Sequence, residues 1–170
     1  MNKNGERNTN LAFIFSLELV ESNPEAYASI ILNLKESQYN CAITSQKAKD
    51  VQEIKNVCSN INIYTDNESL VEIVSVMVSI KEFKRCPPEP HIFLEAADQM
   101  ETPYLYCYVL TNSEIEVSSA LSAGMRVLYV SENKLPNLSL DELFSVRQYK
   151  DFSDLQNSLE IHGILGLVSH

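Results

Sequence analysis

Cysteines, histidines and glycine-rich turns carry much of the chemistry a sequence can declare, and here they declare little. Cys41, Cys58, Cys86 and Cys107 stand far apart with no Cys-x-x-Cys pair, so neither a zinc site nor a disulfide framework is expected. Three of them lie in or beside apolar runs, the setting of reduced, buried thiols. His91, His162 and His170 are too scattered for a triad or a metal centre, and His91, at a helix start, is expected at the surface. Four glycines in the whole chain leave no Gly-x-Gly-x-x-Gly turn to cradle a dinucleotide, which argues against a nicotinamide or flavin enzyme. Tyr104, Tyr106 and Tyr108 alternate with Leu105, Cys107 and Val109. That pattern suits a strand with one core face and one wet face better than a stacking platform.

The elements that must position any site alternate between β-rich runs and helical patterns, the signature of a parallel sheet wound with crossover helices. Leu11–Leu17 is nearly all apolar, as a strand buried on both faces should be. Ala26, Ile30, Ile31 and Leu34 fall at helical spacing after a turn at 23–25. Cys41–Thr44 predicts a second strand, and Val51, Ile54 and Val57/Cys58 mark a helical face within Lys47–Cys58. Leu70, Ile73, Val74 and Met77 fit a helix, but Val74–Ile80 alternates and is rich in β-branched residues, so it is read as the third strand. After the proline-rich 87–90, a helix is expected over His91–Met100. A strand over Tyr104–Leu110, a helix over Glu114–Ala123 capped by Gly124, and a fifth strand over Val127–Val130 follow. A short helix near Leu140–Phe144, an extended piece over Ser145–Tyr149 and a helix near Phe152–Leu159 complete the series.

A chain of 170 residues, 45% hydrophobic and 21% charged, suits a single globular domain. Residues 1–10 read as a polar, loose tail and residues 11–170 as that domain. The net charge of -10 opposes a nucleic-acid backbone or an anionic membrane surface as partner. Leu11–Val20 is too short to span a bilayer and lacks a small-residue cleavage pattern, so a cytoplasmic protein is expected. The terminal GILGLVSH is apolar enough to dock as an extra element or to form part of a partner surface.

Four segments in register carry a family resemblance. PPEPHIFLEAADQM followed by CYVLTNSEIEVSSALSAGMRVLYV resembles the second half of the haloacid dehalogenase-like (HAD) phosphatases and phosphomutases. FIFSLELVES resembles that family's Phe-x-Phe-Asp-x-Asp-Gly-Val opening, and CAITSQK its strand ending in Thr/Ser-Asn. The likeness runs over residues 11–150. It implies a three-layer Rossmannoid α/β domain with a central parallel sheet of about five strands.

The resemblance also implies a chemistry: an aspartate nucleophile on the opening strand, a second aspartate as acid/base, a hydroxyl and a lysine on phosphoryl oxygens, and acidic ligands for Mg²⁺. In this chain the nucleophile position is Ser16 and the acid/base position Glu18. The phosphate-holding pair becomes Ser45 and Gln46, the lysine position falls on Pro87, and the acidic pair becomes Thr111 and Asn112. One carboxylate then stands where an active relative has three or four, so weak or absent Mg²⁺ binding and no cofactor are expected. Only 28 residues, 17–44, separate Ser16 from Ser45, enough for one crossover helix and no helical cap, so the pocket is expected to be shallow and open.

These departures imply a pseudoenzyme with a regulatory or scaffolding role, acting on another protein, with a homo-oligomer possible. The alternatives are a small-anion or phosphate-binding module at Ser45 and Gln46, or a weak or altered phosphohydrolase using Ser16 or Glu18.

Overall fold

Ala12–Ser16 is buried along its whole length and forms β1, the strand around which the molecule is organised. Ala12 and Ile14 face one hydrophobic cluster, and Phe13 and Phe15 face the other. Such a strand has helices on both sides, which is why its sequence is apolar at every position rather than at alternate ones. The computed structural model describes residues 11–63, 68–82, 89–135 and 137–161. The N-terminal tail, Pro87, Cys86, His162, His170 and the terminal GILGLVSH lie outside them.

After β1 come α1 (Leu17–Ser22), α2 (Pro24–Glu36), β2 (Asn40–Ser45) and α3 (Val51–Ser59). A two-residue pair, β3 (Asn62–Ile63) and β4 (Glu68–Ser69), leads into α4 (Leu70–Ile73) and β5 (Val76–Ser79). The second half runs α5 (His91–Gln99), β6 (Cys107–Thr111), α6 (Glu114–Ser122), β7 (Arg126–Val130), α7 (Leu140–Leu143), β8 (Val146–Tyr149) and α8 (Phe152–Ile161). The main sheet is parallel throughout, in the order β5-β2-β1-β6-β7-β8. Apolar residues of α1 to α4 and α8 pack on one face, and those of α5 and α6 on the other, giving the three layers expected.

The sheet has six strands, one more than expected. Val146–Tyr149 adds at the edge, where Val146 and Tyr149 are buried while Arg147 and Gln148 are exposed, a pattern without the period of two that marks a strand. The alternating tyrosines also mislead: Tyr104–Tyr106 form an exposed 3-10 turn, and the strand begins only at Cys107. The stretch 69–80 contains both structures, the helix Leu70–Ile73 and then the strand Val76–Ser79. Between β1 and β2 there are only α1 and α2, so no cap is inserted there. Cys41, Cys58 and Cys107 are buried free thiols, as their apolar surroundings predict.

The chain builds the sheet outward from β1, first to β2 and β5, then across to β6, β7 and β8. The order reverses between β1 and β6, and at such a point α/β sheets hold their ligands at the C-terminal ends of the strands.

Candidate functional site

Ser16, Ser45 and Thr111 are the last residues of β1, β2 and β6, and all three are almost wholly buried. This departs from the open pocket that the short β1–β2 connection predicts. Burial follows because the strands feed directly into helices or tight loops whose side chains close over them. Glu18, in the first turn of α1, is half-buried. Its Oε1 accepts the backbone N–H of Gln46 at 3.0 Å and lies 3.4 Å from the Ser45 hydroxyl.

The Ser45 hydroxyl is committed to its own loop. Its oxygen accepts the backbone N–H groups of Lys47 at 3.2 Å and Ala48 at 3.0 Å. The buried Ser79 hydroxyl, at the end of β5, donates to the Ala48 carbonyl at 2.5 Å and fixes the same loop from the other side. Local side-chain to backbone bonds of this kind define a turn without help from a ligand.

The residue absent from the sequence-derived set is Glu116. It lies in the first turn of α6, is 2% exposed, and turns its carboxylate inward to the strand ends. The Thr111 hydroxyl donates to its Oε1 at 2.6 Å, and the Gln46 side-chain amide donates to its Oε2 at 3.1 Å. Thr111 in turn accepts the backbone N–H of Ser113 at 3.0 Å, which ties the start of α6 to the end of β6. The pocket therefore holds two carboxylates, Glu18 and Glu116, rather than the single one expected. Gln46 contacts both, Glu18 through its backbone and Glu116 through its side chain.

Burial raises the Glu116 carboxyl above its ordinary value, and the Glu18 charge nearby adds to that effect. The donors Thr111 and Gln46, and the Ser16 hydroxyl beside it, pull in the opposite direction. Ser16 Oγ and Glu18 Oε2 meet no hydrogen-bond partner among the described residues. No lysine or arginine side chain pairs with either glutamate among those residues, where the His91 ring lies 3.8 Å from the Glu89 carboxylate.

The structure thus brings together Ser16, Glu18, Ser45, Gln46 and Thr111. Asn112 follows at the strand end but is exposed and takes no part in the network. His91 starts α5, is partly exposed, and makes no hydrogen bond to this network. Ser113-x-x-Glu116 has the spacing of a helix capping box, and that was the available signal for Glu116. Here Ser113 accepts the Glu116 backbone N–H at 3.4 Å, but the carboxylate turns to Thr111 instead of back to Ser113.

No protein-family model matches the sequence, and no curated protein matches it either. Solved structures do match. An uncharacterized protein from Listeria monocytogenes serotype 4b superposes with a TM-score of 0.65 at 14% identity, over 89% of this chain and 97% of its own. A HAD family hydrolase from Deinococcus radiodurans R1, with bound phosphate and sodium, gives 0.59 at 19% identity, over 83% of this chain and 60% of its own. β-Phosphoglucomutase from Clostridium difficile gives 0.58 at 14% identity, over 86% and 58%. The chain spans 54–60% of the length of several of the phosphomutase and hydrolase structures it matches. With six parallel strands in this order and a polar site at their C-terminal ends, the chain has the HAD-like fold that those structures share.

Proposed function

We propose that this domain keeps the HAD-like fold without the family's phosphoryl-transfer chemistry, and acts through contacts with another protein in a regulatory or scaffolding role. The observation that carries this reading is the Gln46 bridge, which joins Glu18 to Glu116 and commits both Glu116 oxygens and one Glu18 oxygen to internal donors.

An aspartyl route needs a carboxylate nucleophile at the end of β1, and Ser16 offers a buried hydroxyl instead. A serine nucleophile needs a base aligned on it, and the Ser16 hydroxyl, although it lies beside Glu116, makes no hydrogen bond of ordinary geometry among the described residues. Magnesium favours an octahedral set of oxygens with strong negative charge. Both Glu116 oxygens and Glu18 Oε1 already accept hydrogen bonds, and no group of three acidic, histidine or cysteine side chains converges among the described residues. This donor set does not fit the ion. A phosphate-binding role is disfavoured as well. Ser45 is taken up by its own loop, and two carboxylates would repel the anion.

Calorimetric titration with magnesium chloride at neutral pH should show no micromolar binding, and such binding would overturn the reading of the donor set. Inorganic phosphate at millimolar concentration should leave the melting temperature unchanged; a rise that saturates would favour an anion-binding module instead.

A further inference from the structure

At the opposite edge of the sheet, the N-terminal ends of β6, β7 and β8 open onto a groove of about 530 Å³. Leu105, Tyr108, Arg126, Phe144 and Arg147 are among its lining residues. Arg126 donates to the Tyr108 hydroxyl at 3.0 Å, with its guanidinium carbon 5.8 Å from the ring centroid, so this cation is held against an aromatic wall. Arg147 projects from the edge strand β8 and is exposed. In a chain of net charge -10, two guanidinium groups on one groove make a local positive island.

Beside this groove stands a ridge of the opposite character. Leu140 is 77% exposed, Leu143 46% and Phe144 88%, with exposed Asp141 between them. The ridge is rigidly presented. Ser139 and Glu142 form a full capping box at the start of α7, with bonds of 2.9 and 3.2 Å. Large apolar side chains gathered on one exposed turn mark an interaction surface more often than an accident of composition.

One face therefore carries both halves of a complementary contact, an acidic apolar ridge and a cationic aromatic groove, joined at Phe144. A two-fold axis requires that arrangement, because residue i of one copy meets j of the other while j meets i. We propose that the occupant of the groove is a second copy of this chain, in an isologous dimer. The α7 ridge of each copy lies in the Arg126–Arg147 groove of the other, and Asp141 faces Arg147. A small amphipathic anion would fill the groove but leave the ridge exposed; the dimer covers both. The surface is remote from the polar site, and this inference does not depend on the reading of that site.

Sedimentation velocity on the full chain tests it. The wild type is expected to be dimeric at about 100 µM, a concentration that populates even modest affinities. Arg147→Glu alone and Asp141→Arg alone should each be monomeric, since each sets like charges face to face, and both positions are exposed enough to leave circular dichroism unchanged. An equimolar mixture of the two variants should recover the dimer, because the two introduced charges then attract each other across the axis while the native Asp141–Arg147 pair survives on the other side. A monomeric wild type overturns the proposal, and one whose melting temperature rises with dodecanoate would assign the groove to a small amphipathic anion. Dimers that persist in both variants, or variants that fail to recombine, also overturn it.

Discussion

Glu116 divides its two oxygens between a threonine hydroxyl and a glutamine amide, and its burial makes the charged form costly. Its folded carboxyl is raised above the ordinary value of 4.5, so in the interval between the two values the folded state holds more protons than the unfolded state. The contribution of this group to stability is therefore full below about 4.5 and is lost as pH rises through the raised value. Glu116→Gln should remove that slope, and urea midpoints measured from pH 4 to 8 on both proteins would show it. Parallel curves would mean that Glu116 is not the group responsible. Thr111→Val deletes a short donor to that carboxylate and an acceptor for Ser113, and should cost about 1.5–3 kcal/mol. Ser16→Ala removes a buried hydroxyl that has no hydrogen-bond partner among the described residues, and should change stability by less than about 1 kcal/mol. Equal losses at both positions in chemical denaturation would contradict the network described here. Glu116 escaped detection in the sequence because a glutamate in a first helical turn ordinarily reads as a solvent-facing charge favoured by the helix dipole. Only its partners, which are distant in sequence, turn it inward.

At the scale of elements, β1 was legible because burial on both faces leaves no room for polar residues before its last position. Phe15→Ala should cost about 3–5 kcal/mol through a cavity in that strand, measurable as a shift in urea midpoint. The end of α6 was legible as well. Gly124 has φ +79°, and the Met125 N–H returns to the Ala120 carbonyl at 3.1 Å, a helix closure that favours glycine. A Cβ added there meets nothing within 4 Å, so Gly124→Ala should cost about 1–2 kcal/mol through backbone strain alone. The edge was not legible. β8 alternates poorly because its outer position needs only two buried side chains, and the tyrosines at 104–106 alternate as a strand would while lying in a turn. Edge strands and short turns are fixed by tertiary contacts, to which a local pattern is blind.

For the whole molecule, fold and site have separate physical origins. The fold rests on two apolar clusters on either side of the sheet, and none of the candidate-site residues belongs to either. That separation leaves the polar groups at the strand ends free to vary at little cost to the fold. The register of the parallel sheet still brings Ser16, Ser45 and Thr111 to one edge, so the place of the site was readable from the sequence although its content was only partly so. The proposed loss of phosphoryl-transfer chemistry is tested most directly by turnover of para-nitrophenyl phosphate with magnesium at neutral pH. Release of para-nitrophenol no faster than in protein-free buffer is the predicted result. Magnesium-dependent turnover that disappears in Ser16→Ala or Glu18→Gln would contradict it.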